Sequence, residues 1–191
     1  YRFVAAHAGR DWQVDRPWAV LPDATSRISI APFRGQNLFI GNTFEDGGAF
    51  QLYAAAHDSI VAGNKGSRMD GFLVWGLNPH GWGYQPSWYC QFFDNEILEG
   101  NGYGHRSASL GTLGRDETQA YHGALVRGTI FRRNVLHNNA RFVVSGMTED
   151  TLIENNTVRK SDNGIIVKAS ARGTLLRENI FEEVIQALQE E

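Results

Sequence analysis

The stretch Thr151–Val167, TLIENNTVRKSDNGIIV, contains the pattern that decides the fold. It opens with a short apolar segment, passes through an asparagine at Asn156, and ends in a second apolar segment, Ile165–Val167. The same frame recurs around five other asparagines: Asn42, Asn64, Asn95, Asn134 and Asn179. Successive asparagines are 22, 31, 39, 22 and 23 residues apart.

A repeat of roughly 20 to 25 residues, made of short strands and Asn/Gly corners, is typical of a solenoid whose units bury their apolar faces against one another. We predict an all-β fold, a right-handed single-stranded parallel β-helix of about six coils of ~22 residues with two inserted loops. The corner asparagines should stack into a ladder of amide hydrogen bonds. Leucine-rich repeats share the period, but their dense leucine spacing is missing here, so they are the weaker alternative.

Composition narrows the possible partners. The chain has 191 residues, of which 42% are hydrophobic, which is enough for one buried core. Its net charge is −3 and its cations are scattered, so we expect no nucleic-acid partner. No apolar run is long enough to span a bilayer, so we expect no membrane partner. The sequence leaves the oligomeric state open.

The termini suggest two further expectations. The chain opens on Tyr1 without a signal peptide, so we interpret it as a processed or excised part of a secreted or periplasmic bacterial protein. Residues 1–26 fit no coil and are predicted to cover the first exposed edge or to remain from a preceding module, while residues 27–191 form the solenoid.

The last unit, Glu178–Leu188, could be a strand or a short amphipathic helix. We favour a strand because Asn179 and Phe181 keep the register.

Each coil should contain a second strand after its asparagine, with side chains alternating between core and solvent. The predicted second strands are Phe50–Tyr53, Phe72–Trp75, Tyr103–Arg106, Phe142–Ser145 and Ile165–Lys168. Their last residues form a predicted outer column: Tyr53, Trp75, Arg106, Ser145 and Lys168. Neighbouring strands lie ~4.8 Å apart, a spacing comparable to that of sugars along an extended polymer. His105 falls on the inward parity, either buried with a hydrogen-bond partner or turned into a cleft.

Two insertions, residues 76–89 and 107–128, account for the longer spacings and are predicted to leave the same side of the solenoid. The first is rich in aromatic residues, which are good platforms for sugar rings. From it we select Trp82, Tyr84 and Trp88 as candidate glycan contacts. Trp88 could instead be a packing residue that holds the loop against the coil. From the second we select Arg115, Tyr121 and His122.

Few residues are suited to acid–base chemistry. His80 is a candidate general base or acid, and a surface histidine is the alternative interpretation. Asp116 and Glu117 are adjacent, which makes them a poor glycosidase pair. No spacing of His, Cys or acidic residues predicts a metal site or a cofactor, although scattered oxygens are compatible with a calcium ion. The single cysteine, Cys90, is predicted to be a buried thiol.

The repeat resembles the pectate-lyase-like superfamily of right-handed parallel β-helices over residues 27–190. Within it, WGLNPH at Trp75–His80 resembles the YGFDPH motif of alginate C5-epimerases, whose Tyr, Asp and His serve catalysis. Trp75 stands in place of the Tyr and Asn78 in place of the Asp, so the resemblance carries over a catalytic role for His80 alone.

Two classes of function follow. The first is an enzyme acting on a polysaccharide in a cleft walled by the two insertions, most simply a lyase-type or epimerase-like reaction. Its base would be His80, its acid Tyr84, and its carboxylate-neutralising cation Arg106 or Lys168. The second is a non-catalytic carbohydrate-binding or structural β-helix module of a larger protein. A glycoside hydrolase on the same fold is a further alternative.

Overall fold

The computed structural model describes residues 2–26, 30, 32–78, 84–99, 110–116 and 123–191. The chain divides into two compact units, Tyr1–Ile30 and Ala31–Glu191, so the division falls four residues after the predicted one. In the smaller unit, two strands pair antiparallel, with His7 opposite Trp12. The predicted cover role of residues 1–26 stays a prediction, and residues 27–29 and 31, at the predicted start of the solenoid, lie outside the described residues.

The described residues form strands and no helix. In chain order the strands are β1 (Val4–Ala8), β2 (Asp11–Val14), β3 (Arg34–Gly35), β4 (Leu38–Ile40), β5 (Thr43–Tyr53), β6 (Ala56–His57), β7 (Ile60–Ala62), β8 (Lys65–Asn78), β9 (Ser87–Trp88), β10 (Gln91–Phe93), β11 (Glu96–Ile97), β12 (Leu110–Asp116), β13 (Val126–Arg127), β14 (Ile130–Arg132), β15 (Val135–His137), β16 (Phe142–Gly146), β17 (Thr148–Glu149), β18 (Leu152–Glu154), β19 (Thr157–Val167), β20 (Leu175–Arg177) and β21 (Ile180–Glu190).

The larger unit consists of three parallel sheets in which successive coils contribute neighbouring strands. The first sheet has the order β20-β18-β14-β10-β7-β4, and the third has the order β17-β13-β9-β6-β3. The second sheet is built from β5, β8, β11, β12, β15, β16, β19 and β21. This arrangement is compatible with a β-solenoid. It confirms the all-β, parallel prediction, and β21 confirms that the last unit is a strand.

The predicted asparagine ladder links the first and second sheets. The backbone N–H and the Nδ2 of each of the first five asparagines donate to the Oδ1 of the asparagine one coil further on, at 2.9–3.1 Å. From the second coil onward, Nδ2 also donates to a strand carbonyl, at 2.8–3.0 Å. The ladder therefore satisfies polar groups at a buried corner, where unpaired amides would be costly.

A left-handed residue immediately precedes every ladder asparagine. Its φ lies between 51° and 69° at Gly41, Gly63, Asp94, Arg133, Asn155 and Glu178. Only two of these six residues are glycine, so the others adopt a conformation that costs a non-glycine residue ~1–2 kcal/mol. Part of that cost is offset at Arg133, whose guanidinium makes two hydrogen bonds, of 2.8 and 2.9 Å, to the Asp94 carboxylate. The same contact lowers the pKa of Asp94.

A second inner column, absent from the sequence prediction, lines the corner between the third and first sheets. Its members directly follow another left-handed residue in each coil and are Asn37, Ser59, Cys90, Thr129, Thr151 and Thr174. Cys90 is fully buried, as predicted. Burial raises the pKa of its thiol to about 12, so the thiol stays protonated and unreactive near neutral pH.

The apolar core lies between the sheets as stacked columns. Phe92 and Phe131 of the first sheet are fully buried, with ring centroids 5.0 Å apart. On the second sheet the inward positions follow the predicted parity in four coils, and they are Phe50/Leu52, Phe72/Val74, Phe142/Val144 and Ile165/Val167. Each side chain therefore packs on the equivalent residue of the next coil, as a solenoid requires.

The register of the third coil differs from the prediction. The strand that pairs with Phe72 and Phe142 begins at Leu110, whereas the sequence pattern had placed it at Tyr103–Arg106. Extra residues therefore lie both between β11 and β12 and between β12 and β13. We predicted that residues 107–128 form one insertion that leaves the solenoid together with the first. That prediction was wrong, because residues 110–116 of this segment are strand β12 of the second sheet, and the extra residues precede and follow that strand in the chain.

No helix in the described ranges is long and apolar enough to cross a membrane.

Candidate functional site

The outer column runs across five neighbouring strands of the second sheet. Tyr53 pairs with Trp75, Trp75 with Leu113, and Leu113 with Ser145. Lys168 follows Val167, which pairs with Val144, so Lys168 lies beside Ser145. Four of the five predicted members are therefore in register. The position assigned to Arg106 is occupied by Leu113, so that assignment was wrong, and the inward position assigned to His105 is occupied by Thr112.

Two aromatic rings dominate one end of the column. Tyr53 is 55% exposed and Trp75 is half-buried, with ring centroids 5.9 Å apart and planes inclined at 34°. In the described part of the chain, the indole N–H of Trp75 is buried and has no hydrogen-bond partner. The pair forms a tilted apolar surface that extends over two coils.

The opposite end of the column is polar. The Ser145 hydroxyl donates to the Thr112 carbonyl at 3.0 Å. Lys168 forms an ion pair with Glu191 and is 39% exposed. A cation therefore lies three strands from Trp75, about 14 Å away at the usual strand spacing.

Two aromatic residues of the first insertion anchor it to the next coil. The Trp88 indole N–H donates to the Ala124 carbonyl at 3.1 Å, and the Tyr84 hydroxyl donates to the same oxygen. Trp88 is only 6% exposed, and its ring lies 5.2 Å from that of Phe33. Trp88 is therefore a packing residue, the alternative that its sequence position had left open, and it presents little surface to a ligand.

The two long strands of the column continue beyond it. β8 and β12 remain paired through Leu77 with Arg115 and Asn78 with Asp116. Leu77 also exchanges two backbone hydrogen bonds with Gln85, at 2.9 and 2.7 Å, which closes the base of the first insertion. Asn78 is 6% exposed, whereas Arg115 is exposed. The two strand ends lead into the segments that contain His80 and His122.

Several predicted site residues lie outside the described residues: His80, Trp82, His105, Arg106, Tyr121 and His122. Of the predicted site residues that the structure describes, Tyr53, Trp75 and Lys168 lie in one column. Arg115 is two residues beyond Leu113, the partner of Trp75, and Tyr84 is next to Gln85, the partner of Leu77. Among the described residues, no group of three or more His, Cys, Asp or Glu side chains is placed to hold a metal ion.

A charged cluster on the third sheet was not selected from the sequence. Trp88, Arg127 and Glu149 occupy equivalent positions on neighbouring strands of this sheet. The backbone of Glu149 also pairs with that of Arg172 in an isolated parallel β-bridge. Arg127 is ion-paired with Glu149 and lies 3.5 Å from the Asp150 carboxylate. These charges neutralise one another between coils, so the cluster stabilises the sheet. Its members are single residues 39, 22 and 23 positions apart in the sequence, so no local pattern predicted it.

Comparison with known proteins identifies no relative: the chain matches no protein-family model, no curated protein and no solved structure.

Proposed function

We propose that the larger unit is a right-handed, single-stranded parallel β-helix that binds an extended polysaccharide across its second sheet. The observation that carries this proposal is the Tyr53–Trp75 pair, in which two rings from adjacent coils face outward at a 5.9 Å spacing. Aromatic faces pack on the C–H surfaces of sugar rings, and successive strands repeat at a distance comparable to that of successive sugars. A chain lying along the column would pass from the aromatic pair towards Lys168.

Lys168 suggests that the preferred polymer is acidic. Lys168 lies in the same column as the two rings, and its ammonium group forms an ion pair with the Glu191 carboxylate. A uronate carboxylate can compete for this cation, because an exposed pair of this kind is worth only ~0–1 kcal/mol. The proposed ligand class is therefore an extended anionic polysaccharide, with neutral glycans bound more weakly.

Replacing either ring should weaken glycan binding. Tyr53→Ala and Trp75→Ala are each expected to lower affinity by about two- to twelvefold, since one aromatic contact is worth roughly 0.5–1.5 kcal/mol. Isothermal titration calorimetry against a panel of acidic and neutral polysaccharides would measure the change. Trp12→Ala is the matched control, because Trp12 is 47% exposed but belongs to the smaller unit. The proposal fails if no polymer binds, or if Trp12→Ala weakens binding as much as Trp75→Ala.

A lyase-type or epimerase-like reaction is the second candidate, favoured by the pairing of Asn78 with Asp116. The pair puts two polar residues at adjacent strand ends that lead towards His80 and His122. In this version His80 takes the C5 proton of a uronate whose carboxylate Lys168 neutralises. In a lyase reaction the C4–O bond then breaks and the leaving oxygen takes its proton from water, whereas in an epimerase reaction water returns a proton to the opposite face of C5. Tyr84 is better explained as a loop anchor than as the acid, because its hydroxyl already donates to Ala124.

The roles of His80 and Tyr84 can be separated by activity. Unsaturated products would be followed by ultraviolet absorbance, and epimerised products by nuclear magnetic resonance. His80→Ala should abolish turnover while binding persists, because a general base contributes roughly 10²–10⁴-fold to the rate. Tyr84→Phe should keep most of the activity if Tyr84 only anchors the loop. Full activity of His80→Ala on a polymer that the wild-type protein converts would eliminate this mechanism without affecting the binding proposal.

A further inference from the structure

Two cations border an otherwise uncharged part of the second sheet's outer face. Beside the outer column lies a second outward column, two residues earlier on each strand. Its members carry no charge and are Gln51, Leu73, Gly111, Val143, Ile166 and Gln189. Lys168 supplies the charge of the outer column itself, and Arg115, two residues beyond Leu113 on β12, adds a second cation at its border.

Arg115 lies on the outward face of β12. It shares that face with Leu113, because side chains two residues apart point to the same side of a strand, and it is exposed whereas Gly114 is buried. Its partner on β8 is Leu77, two residues beyond Trp75. The backbones of Arg115 and Trp75 are therefore diagonal neighbours, about 8 Å apart at the usual strand spacing and rise. A long cationic side chain thus lies at the border of the aromatic pair.

The two cations are two coils apart along the solenoid. Arg115 is on β12, Ser145 is on the neighbouring strand β16, and Lys168 follows β19, the next strand along. The Lys168 N–H donates to the Val144 carbonyl at 2.9 Å, so the pairing of the two coils continues through Lys168. At ~4.8 Å for each strand, the cations are separated by ~10 Å along the column. Because one strand spacing is comparable to one sugar, this distance corresponds to two sugars.

The position between the cations is neutral. Ser145 occupies it, and its hydroxyl donates to the Thr112 carbonyl at 3.0 Å, so the oxygen can still accept a hydrogen bond from a sugar hydroxyl. A carboxylate above Ser145 would lose hydration without gaining an ion pair in the column. The arrangement therefore matches a polymer in which a charged sugar alternates with a neutral one.

We propose that the outer column selects a polysaccharide in which every second sugar is a uronate, and that Arg115 and Lys168 determine this specificity. The proposal rests on the proposed glycan binding by the Tyr53–Trp75 pair. Arg115 binds one carboxylate through two parallel hydrogen bonds, the geometry for which a guanidinium is suited. Lys168 binds the next carboxylate as a point charge, in exchange for Glu191. The neutral sugar between them lies over Ser145.

Three hexasaccharides serve as probes in isothermal titration calorimetry. In the first, glucuronate alternates with N-acetylglucosamine; the second contains glucuronate alone, and the third is neutral and contains glucose alone. The wild-type protein should bind the alternating probe most tightly. Arg115→Gln and Lys168→Gln should each weaken that binding about fivefold, a change of ~1 kcal/mol, and leave the neutral probe unchanged. Arg115→Lys, which keeps the charge, should recover part of the loss.

A cation added between the two should change the preference. Ser145→Lys gives the middle sugar a charged partner, so the uniformly charged probe should bind about fivefold more tightly, whereas the alternating probe should gain little. Arg159→Gln is the matched control, because Arg159 is also on β19 but lies outside both columns, where it is paired with Glu182 at 2.7 Å. Circular dichroism would verify that each variant is folded.

Three results would overturn the proposed specificity: equal binding of the alternating and uniformly charged probes by the wild type, an unchanged ratio of the two in Ser145→Lys, or equal losses in Arg159→Gln and Arg115→Gln. Binding that is weakened by Trp75→Ala, but not by Arg115→Gln or Lys168→Gln, would also overturn it while supporting glycan binding by the aromatic pair. A protein that binds none of the three probes would contradict both proposals.

Discussion

Replacing Asn134 with alanine should destabilise the protein by roughly 3 kcal/mol, because the change removes several buried hydrogen bonds at once. Asn134 is fully buried. Its Nδ2 donates to Phe92 and to Asn156, and its Oδ1 accepts from the backbone and side chain of Asn95. Alanine leaves the Asn95 backbone N–H and the Phe92 carbonyl without these partners in a site closed to water. The midpoint of urea unfolding, followed by circular dichroism, would measure the loss.

Asn42→Ala is the matched control within the same ladder. Asn42 is exposed, and its side chain donates one hydrogen bond, of 2.9 Å, to Asn64. Water can replace that bond, so the expected loss is less than about 1 kcal/mol. Equal losses for the two variants would show that the ladder is a consequence of coil stacking and does not stabilise it.

The features that the sequence predicted well are those that repeat in every coil. The asparagine ladder requires one asparagine at the same position of every coil. Six copies of the same sequence pattern identify that position, even where the turns between coils differ in length. Tyr53 and Trp75 were placed in one column because both follow their asparagine by 11 residues, so the period alone aligns them. Alternation then separates inward from outward positions.

The register of the third coil was predicted wrongly because two segments fit the local pattern. Tyr103–Arg106 and Leu110–Leu113 are both short enough to be the second strand, and Gly111 and Thr112 weaken the apolar signal of the latter. The register of β12 is fixed instead by its neighbours, since Leu110 pairs with both Phe72 and Phe142. That information is non-local, so a pattern within one coil cannot supply it.

The third sheet went unrecognised for a related reason. Each of its five strands has two residues, too few to show any alternation: Arg34–Gly35, Ala56–His57, Ser87–Trp88, Val126–Arg127 and Thr148–Glu149. Trp88 belongs to one of them, which explains why it packs against Phe33. A tryptophan in an aromatic-rich loop is a reasonable candidate for a glycan contact. Its burial against Phe33 depends on the pairing of the third sheet, which the sequence did not predict.

A column of three glycines extends the second sheet beside the aromatic platform. Gly76 pairs with Gly114, and Gly114 with Gly146. At each of them the backbone of a neighbouring segment occupies the space of a side chain. A Cβ on Gly114 would lie 2.5 Å from the Met147 carbonyl oxygen, so the turn after β16 passes directly over the strand. Glycine is needed here for the close approach of two backbones.

Replacing Gly76 with alanine should therefore destabilise the coil next to Trp75. The added Cβ would lie 2.1 Å from the carbonyl oxygen of Leu125, a fully buried residue, and backbone cannot move aside as a flexible side chain can. Overpacking of this kind costs typically ~1–3 kcal/mol and can cost more against backbone. Gly48→Ala is the control, because a Cβ added there would have no atom within 4 Å and no positive φ strains the residue. Thermal unfolding should show a clear decrease in midpoint for Gly76→Ala and almost none for Gly48→Ala. If Gly76→Ala unfolds like the wild type, the close packing of Leu125 on β8 is incorrect, and with it the rigid support that Trp75 needs to bind a glycan.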